Sequence, residues 1–71
     1  MELLLRQERI SKGWTQAFVA SQIGTTKATV QMIETGQRKP SYDVLVKLLD
    51  LFECNDPREL FGEAPPNNSN Y

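Results

Sequence analysis

Between positions 26 and 32 the chain sets out a hydroxyl (Thr26), an ammonium (Lys27), a methyl (Ala28), a carboxamide (Gln31) and a thioether (Met32). This set can donate and accept hydrogen bonds and offer apolar contact, but it holds no nucleophile beside a base. A second set, Gln16, Thr35, Gln37, Arg38 and Lys39, is polar or cationic. Material for catalysis is scarce, because the chain has no His and only one cysteine, Cys54. His is the commonest general base and transition-metal ligand. A single thiol makes neither an internal disulfide nor a cysteine-based metal site. The expectation is therefore recognition, with no enzymatic step, no cofactor and no metal.

These residues need a scaffold, and Gln16–Thr35 supplies its centre. Val19, Ala20 and Ile23 share one side of a helix, and Val30 and Ile33 share the inward side of a second. Gly24, followed by Thr25 and Thr26, interrupts the pattern and supplies the positive φ that a tight turn needs. Two helices joined so closely cross steeply, and Ala20 is small enough for their backbones to approach. The layout is a helix-turn-helix with Thr26, Lys27, Ala28, Gln31 and Met32 turned outward.

The rest of the chain reads as helices around this pair. Residues 2–12 predict a first helix with apolar contacts from Leu3, Leu4, Leu5 and Ile10, stopped by Gly13. Thr15 is the N-cap of the second helix, which runs to about Ile23, and Trp14 has hydrophobic-staple spacing to Val19. The third helix extends from a Thr26 cap to about Thr35, with Gly36 ending it. Ser41 caps a fourth over Tyr42 to Glu53, whose core side by spacing is Tyr42, Leu45, Leu48, Leu49 and Phe52. Asp56-Pro57-Arg58-Glu59 is a capping-box pattern that opens a short fifth helix holding Leu60 and Phe61. The expected organisation is one all-α domain over residues 1–63 and a disordered tail over residues 64–71, where Ala-Pro-Pro-Asn-Asn-Ser-Asn-Tyr has little to bury.

A chain of 71 residues sits near the lower limit for a self-sufficient core. No stretch resembles a signal peptide or approaches the ~18 apolar residues of a membrane span. With one free thiol, a reducing, cytoplasmic setting fits best. The net charge of −1 argues against a nucleic-acid partner, but its distribution does not. Residues 11–40 carry Lys12, Lys27, Arg38 and Lys39 against Glu34 alone, whereas residues 41–71 are strongly acidic. The positive surplus coincides with the helix-turn-helix and the loop after it.

Gly13-Trp14-Thr15-Gln16, the Ala20…Gly24 spacing and Ile33-Glu34-Thr35-Gly36-Gln37-Arg38-Lys39-Pro40 occur in order and are followed by a helix. Together they resemble the phage repressor and Cro type (Cro/CI, XRE-like) of helix-turn-helix domain, over about residues 3–61. The resemblance implies a compact five-helix lambda-repressor-like fold that binds operator DNA, usually as a symmetric dimer, and regulates transcription. Two positions depart from the family pattern. Phe18 stands where a polar residue is usual, and it either tucks against Trp14 and the first helix or meets a partner. Glu8 replaces an apolar residue, which suggests a slightly rotated first helix with Ile10 taking the inward role.

In that framework the recognition helix enters the major groove N-terminus first, with Thr26, Lys27 and Ala28 deepest. Lys27 suits guanine O6 and N7, Gln31 suits adenine, and Ala28 and Met32 suit a thymine methyl. Each good base contact is worth ~1–3 kcal/mol of discrimination. The competing assignments are a solvated surface lysine for Lys27 and added core packing for Met32. The resemblance implies a phosphate contact at Gln16, where a helix N-terminus already favours an anion. Thr35, Gln37, Arg38 and Lys39 would flank the groove and hold register. It also implies a partly buried structural ion pair between Arg9 and Glu34.

Few cations are available, so one subunit should bind weakly, which favours a dimer. Val44 and Leu51, with Leu60 or Phe61, remain for its interface once the core is assigned, although the tail could cover the same patch. Three functions are compatible with these features. The leading one is a sequence-specific double-stranded DNA-binding transcription regulator, a Cro-like repressor acting as a homodimer on a near-palindromic operator. The second is an antitoxin or restriction–modification controller protein with the same DNA-binding mode and a possible protein partner. The third is a protein-interaction module on a helix-turn-helix scaffold.

Overall fold

The computed structural model describes residues 2–63, and the tail expected at 64–71 lies outside the described residues. Five helices follow in order: α1 (Leu4–Ser11), α2 (Gln16–Ile23), α3 (Lys27–Glu34), α4 (Tyr42–Phe52) and α5 (Arg58–Phe61). The all-α five-helix architecture matches the sequence expectation. Among the described residues the only extended pairing is one antiparallel bridge between Leu3 and Glu63. α1 begins later than residue 2 because Leu3 is held in an extended conformation, φ −95° and ψ 158°. The Leu3 N–H donates to the Glu34 carbonyl and the Leu4 N–H to the Gly62 carbonyl, each at 2.9 Å, which gives the start of α1 partners from elsewhere in the fold.

Side chains capable of capping begin α2, α3 and α4. Thr15 Oγ1 accepts from the Phe18 N–H at 3.0 Å, Thr26 Oγ1 from Thr29 at 3.2 Å, and Ser41 Oγ from Val44 at 3.3 Å. Each satisfies one of the N–H groups that a helix start leaves without a partner. Gly24 ends α2 at φ +74°, and a Cβ there would meet nothing within 4 Å, so conformation rather than space demands glycine. The box expected before α5 forms only in part. Glu59 Oε2 accepts from the Asp56 N–H at 3.3 Å, but Asp56 Oδ1 accepts from the Arg58 N–H at 3.0 Å rather than from Glu59, and Pro57 stands at the cap with the helix starting at Arg58.

The core joins Leu3 and Leu5 to Val19, Ala20 and Ile23 of α2, Val30 and Ile33 of α3, Leu48 and Phe52 of α4, and Leu60 of α5. Trp14 packs against it, its ring 5.3 Å from both Phe18 and Phe52. Phe18 thus has an intramolecular partner while staying partly exposed.

Two expected core positions are not inside. Tyr42 is 81% exposed and Ile10 is 50% exposed. At about 100° per residue, Tyr42 lies about 120° around α4 from the buried Leu48. The core face is centred on Leu48 and Phe52, with half-buried Val44 and Leu51 beside them. On α1 the buried positions are Leu5 and Arg9. Burying Arg9 toward Glu34 orients the helix and leaves Ile10 about 140° from Leu5.

Candidate nucleic-acid interface

The exposed surface of α3 begins with a polar first turn. Lys27, Ala28 and Gln31 are exposed, and Met32 is half-buried, so its thioether is divided between packing and surface. Thr26 is exposed but occupied: its hydroxyl caps α3 and shares a 3.0 Å hydrogen bond with the Thr29 hydroxyl. Thr29, which sequence reasoning passed over, therefore belongs to this turn. Its position three residues after the cap was the available signal.

Thr35 is turned back on its own helix, its hydroxyl donating to the Gln31 carbonyl at 3.1 Å and the Met32 carbonyl at 3.2 Å. Gln37, Arg38 and Lys39 are exposed in the loop that follows. Gly36 at φ +79° opens that loop and lets the Gln37 N–H return to the Met32 carbonyl at 2.9 Å.

Gln16 and Lys27 line one open concavity of about 600 Å³ together with Arg6, Arg9 and Thr15. Arg38 and Lys39 line a different one of about 420 Å³, beside Leu45, Pro57 and Phe61. The structure thus splits the expected backbone-contact residues between two places. Arg6 is the cation that sequence reasoning missed. It lies three residues before Arg9 on α1, opens onto the first concavity, and its guanidinium also meets Glu2 at 3.1 Å. Of its three cations Arg6 is paired with Glu2 and Arg9 with Glu34, so Lys27 and the start of α2 supply the positive lining that suits an anion.

Beneath it lies a buried network. Arg9 donates from Nε to Glu34 Oε2 at 2.7 Å, from one terminal nitrogen to Glu34 Oε1 at 3.3 Å, and from the other to the Trp14 carbonyl at 2.9 Å. Gln16 Nε2 donates to Glu34 Oε1 at 3.0 Å. Glu34 is 1% exposed, so this carboxylate is a fully desolvated anion held by three donors. The network joins α1, the α1–α2 loop, α2 and α3.

Little else here is suited to covalent chemistry. Burial, with Glu59 and Glu8 adding to it, pushes the Cys54 thiol up and keeps it protonated. Among the described residues no group of three His, Cys, Asp or Glu side chains is placed to hold a metal. No helix among them is long and apolar enough to cross a membrane.

The expected dimer residues fall into different settings. Leu60 is fully buried and has no surface to offer a partner, so its assignment to an interface is corrected. Val44 and Leu51 are half-buried and pack against the core, and Phe61 is half-buried beside the second concavity.

Comparison with known proteins places the chain among others. The family model described as "Helix-turn-helix" matches residues 5–60. An HTH-type transcriptional regulator, AnsR of Bacillus subtilis (strain 168), is 37% identical over 49 residues, covering 69% of this chain. The match spans 42% of the length of that relative. Among solved structures, the restriction-modification controller protein C.AhdI from Aeromonas hydrophila superposes with a TM-score of 0.71 at 36% identity. That alignment covers 82% of this chain and 86% of the other.

Proposed function

This chain belongs to the helix-turn-helix family, and we propose that it is a sequence-specific, double-stranded DNA-binding transcription regulator. It acts as a Cro-like repressor, as a homodimer on a near-palindromic operator, with α3 in the major groove. The observation that carries this reading is the exposure of Lys27, Ala28 and Gln31 on a helix braced from below by buried Val30, Ile33 and Glu34. A rigid helix with donors, acceptors and a methyl on its free face is what readout of base edges requires. Arg6 and Lys27 beside the start of α2 suit a phosphate, with Gln16 as a further donor. Arg38 and Lys39 supply a second positive point beyond α3.

The homodimer rests on a surface of α4. Tyr42, Leu45, Val46 and Leu49 follow the i, i+3, i+4, i+7 spacing and form a second apolar stripe beside the core stripe. Tyr42 and Val46 are exposed, and Leu45 and Leu49 are half-buried. With Phe61 and the half-buried Val44 and Leu51, this stripe forms the interface, and the buried Leu60 drops out of it. Its border carries both signs, with Arg38 and Lys39 beside Leu45 on one side and, on the other, Asp50 and an Asp43 paired with Lys47 at 3.0 Å. A two-fold axis running along the stripe brings unlike borders together, so a second copy in that orientation fits better than a partner of one charge.

A restriction–modification controller role is the second reading, favoured by the likeness to C.AhdI, with 36% identity and a TM-score of 0.71. Both readings share the same DNA-binding mode. The test is selection of random duplexes by the purified protein at two salt concentrations. Recovery of an inverted repeat is the expected result, with half-sites about 34–36 Å apart. Enrichment of no duplex at low salt overturns DNA binding and leaves the protein-interaction module.

A further inference from the structure

We propose that Glu34 is a positioning residue for DNA binding, acting through Gln16: the buried carboxylate fixes the Gln16 carboxamide so that its second N–H is left for a phosphate. The inference rests on the DNA-binding reading above. It follows from what each group can donate and accept.

An ionised carboxylate only accepts hydrogen bonds, so it must be faced by the NH₂ end of a neighbouring carboxamide, never by the C=O end. Arg9 donates to both oxygens of Glu34 in a charge-assisted pair that is 1% exposed on the carboxylate side. The 3.0 Å bond from Gln16 Nε2 to Oε1 therefore sets which way the amide is turned. That bond uses one of two hydrogens on Nε2. Among the described residues no acceptor takes the other.

Gln16 also stands in the first turn of α2, on the concavity it shares with Arg6 and Lys27. A free Gln at such a place rotates and presents its carbonyl, which repels a phosphate, as readily as its amide. Glu34 removes that alternative before DNA arrives, so the contact is made without the cost of ordering the side chain. The same bond sits at the junction of the first turn of α2 and the last of α3. Register on the backbone and the pose of the recognition helix are thus linked through a single carboxylate.

The experiment uses the full chain and the duplex recovered by the selection, with Gln16→Met, Glu34→Gln and the double variant compared by dissociation constant. Gln16→Met removes the donor and is expected to weaken binding about tenfold, as for one hydrogen bond to a charged group. Glu34→Gln allows the Gln16 amide to flip and is expected to weaken binding to a similar degree. The double variant is expected to bind no more weakly than Gln16→Met alone, because the two residues act on one contact. Losses that multiply, or unchanged affinity in Gln16→Met, overturn the proposal.

Glu34→Gln leaves Arg9 without its counterion and is prone to unfold, so a second measurement uses the wild-type chain. In ¹⁵N–¹H spectra one Gln16 side-chain proton is expected to lie downfield in the free protein and to stay there when duplex is added, while the other moves downfield. Movement of the first proton to an unbonded position, or no movement of the second, overturns the proposal while DNA binding stands. If no duplex binds the wild-type chain, the DNA-binding reading fails and this inference fails with it.

Discussion

Arg9 and Glu34 are separated by 25 positions in the chain and meet at 2.7 Å between Nε and Oε2, with side-chain exposures of 11% and 1%. A pair this deep is costly to assemble and far more costly to break on one side. It decides how α1 is turned, and through Gln16 and the Trp14 carbonyl it ties the start of α2 to the end of α3.

Removing one partner leaves the other as an uncompensated buried charge. Glu34→Ala is expected to lower stability by about 3–5 kcal/mol. A core of this size rarely supplies more than about that amount, so the variant should be largely unfolded at room temperature. Arg9→Met combined with Glu34→Leu should cost much less than either single change. Urea unfolding followed by Trp14 fluorescence distinguishes the two outcomes.

Gly24 is required for its backbone angle and not for space. Gly24→Ala is therefore expected to cost about 1–2 kcal/mol from the left-handed conformation alone. Asn, which tolerates that conformation better, should cost less, and Val should cost more. Thermal unfolding by circular dichroism gives the order. An equal cost for Ala and Val would point to strain elsewhere in the turn.

The α4 stripe and the core make opposite demands. Val46→Lys is expected to leave the fold intact and to shift the protein to monomer in sedimentation velocity. Leu60→Ala should destabilise the fold by about 2–5 kcal/mol through a buried cavity. A monomeric wild-type chain at high concentration would remove the stripe from consideration as a dimer face.

Lys27 and Arg38 should lose different things. Lys27→Ala is expected to relax base preference at one position of each half-site, at about 1–3 kcal/mol. Arg38→Ala should weaken all duplexes alike and reduce the salt slope by about 1. Titrations of the selected duplex and a scrambled one, at three salt concentrations, separate these effects.

The start of α5 should respond to acid. The Arg58 side chain, with its backbone N–H, bonds the Asp56 carboxylate and holds it below its usual range. A carboxyl whose pKa is lower in the folded state adds stability above its ordinary value of about 3.9. That stability disappears as pH falls through the lower, folded value. Asp56→Asn should flatten this part of the pH–stability curve, measured by urea midpoints from about pH 5 to pH 2.

Much of the scaffold was legible because its signals are local. Thr15, Thr26 and Ser41 announce helix starts, Gly24 and Gly36 announce ends, and Val19, Ala20, Ile23, Val30 and Ile33 mark the facing sides of α2 and α3. What escaped depends on rotation about a helix axis. Tyr42 and Leu49 share a stripe by spacing, but only Leu49 packs against the core, which is centred on Leu48 and Phe52, and Tyr42 stands in solvent. Ile10 is the more apolar residue, yet Arg9 is inside because Glu34 is there to receive it. The bond between Gln16 and Glu34 spans two helices, and neither residue type announces it. Arg6 was passed over for a similar reason, since only the packing of α1 against α3 brings it to the concavity it shares with Lys27.

The bridge between Leu3 and Glu63 makes the described chain almost a closed ring. A short peptide linker could join positions 2 and 63, and new termini could be cut in the exposed loop at Gln37–Lys39, with every helix kept whole. Such a circular permutant would free the region beside Arg38 for a fused reporter and leave the order of contacts inside the protein unchanged.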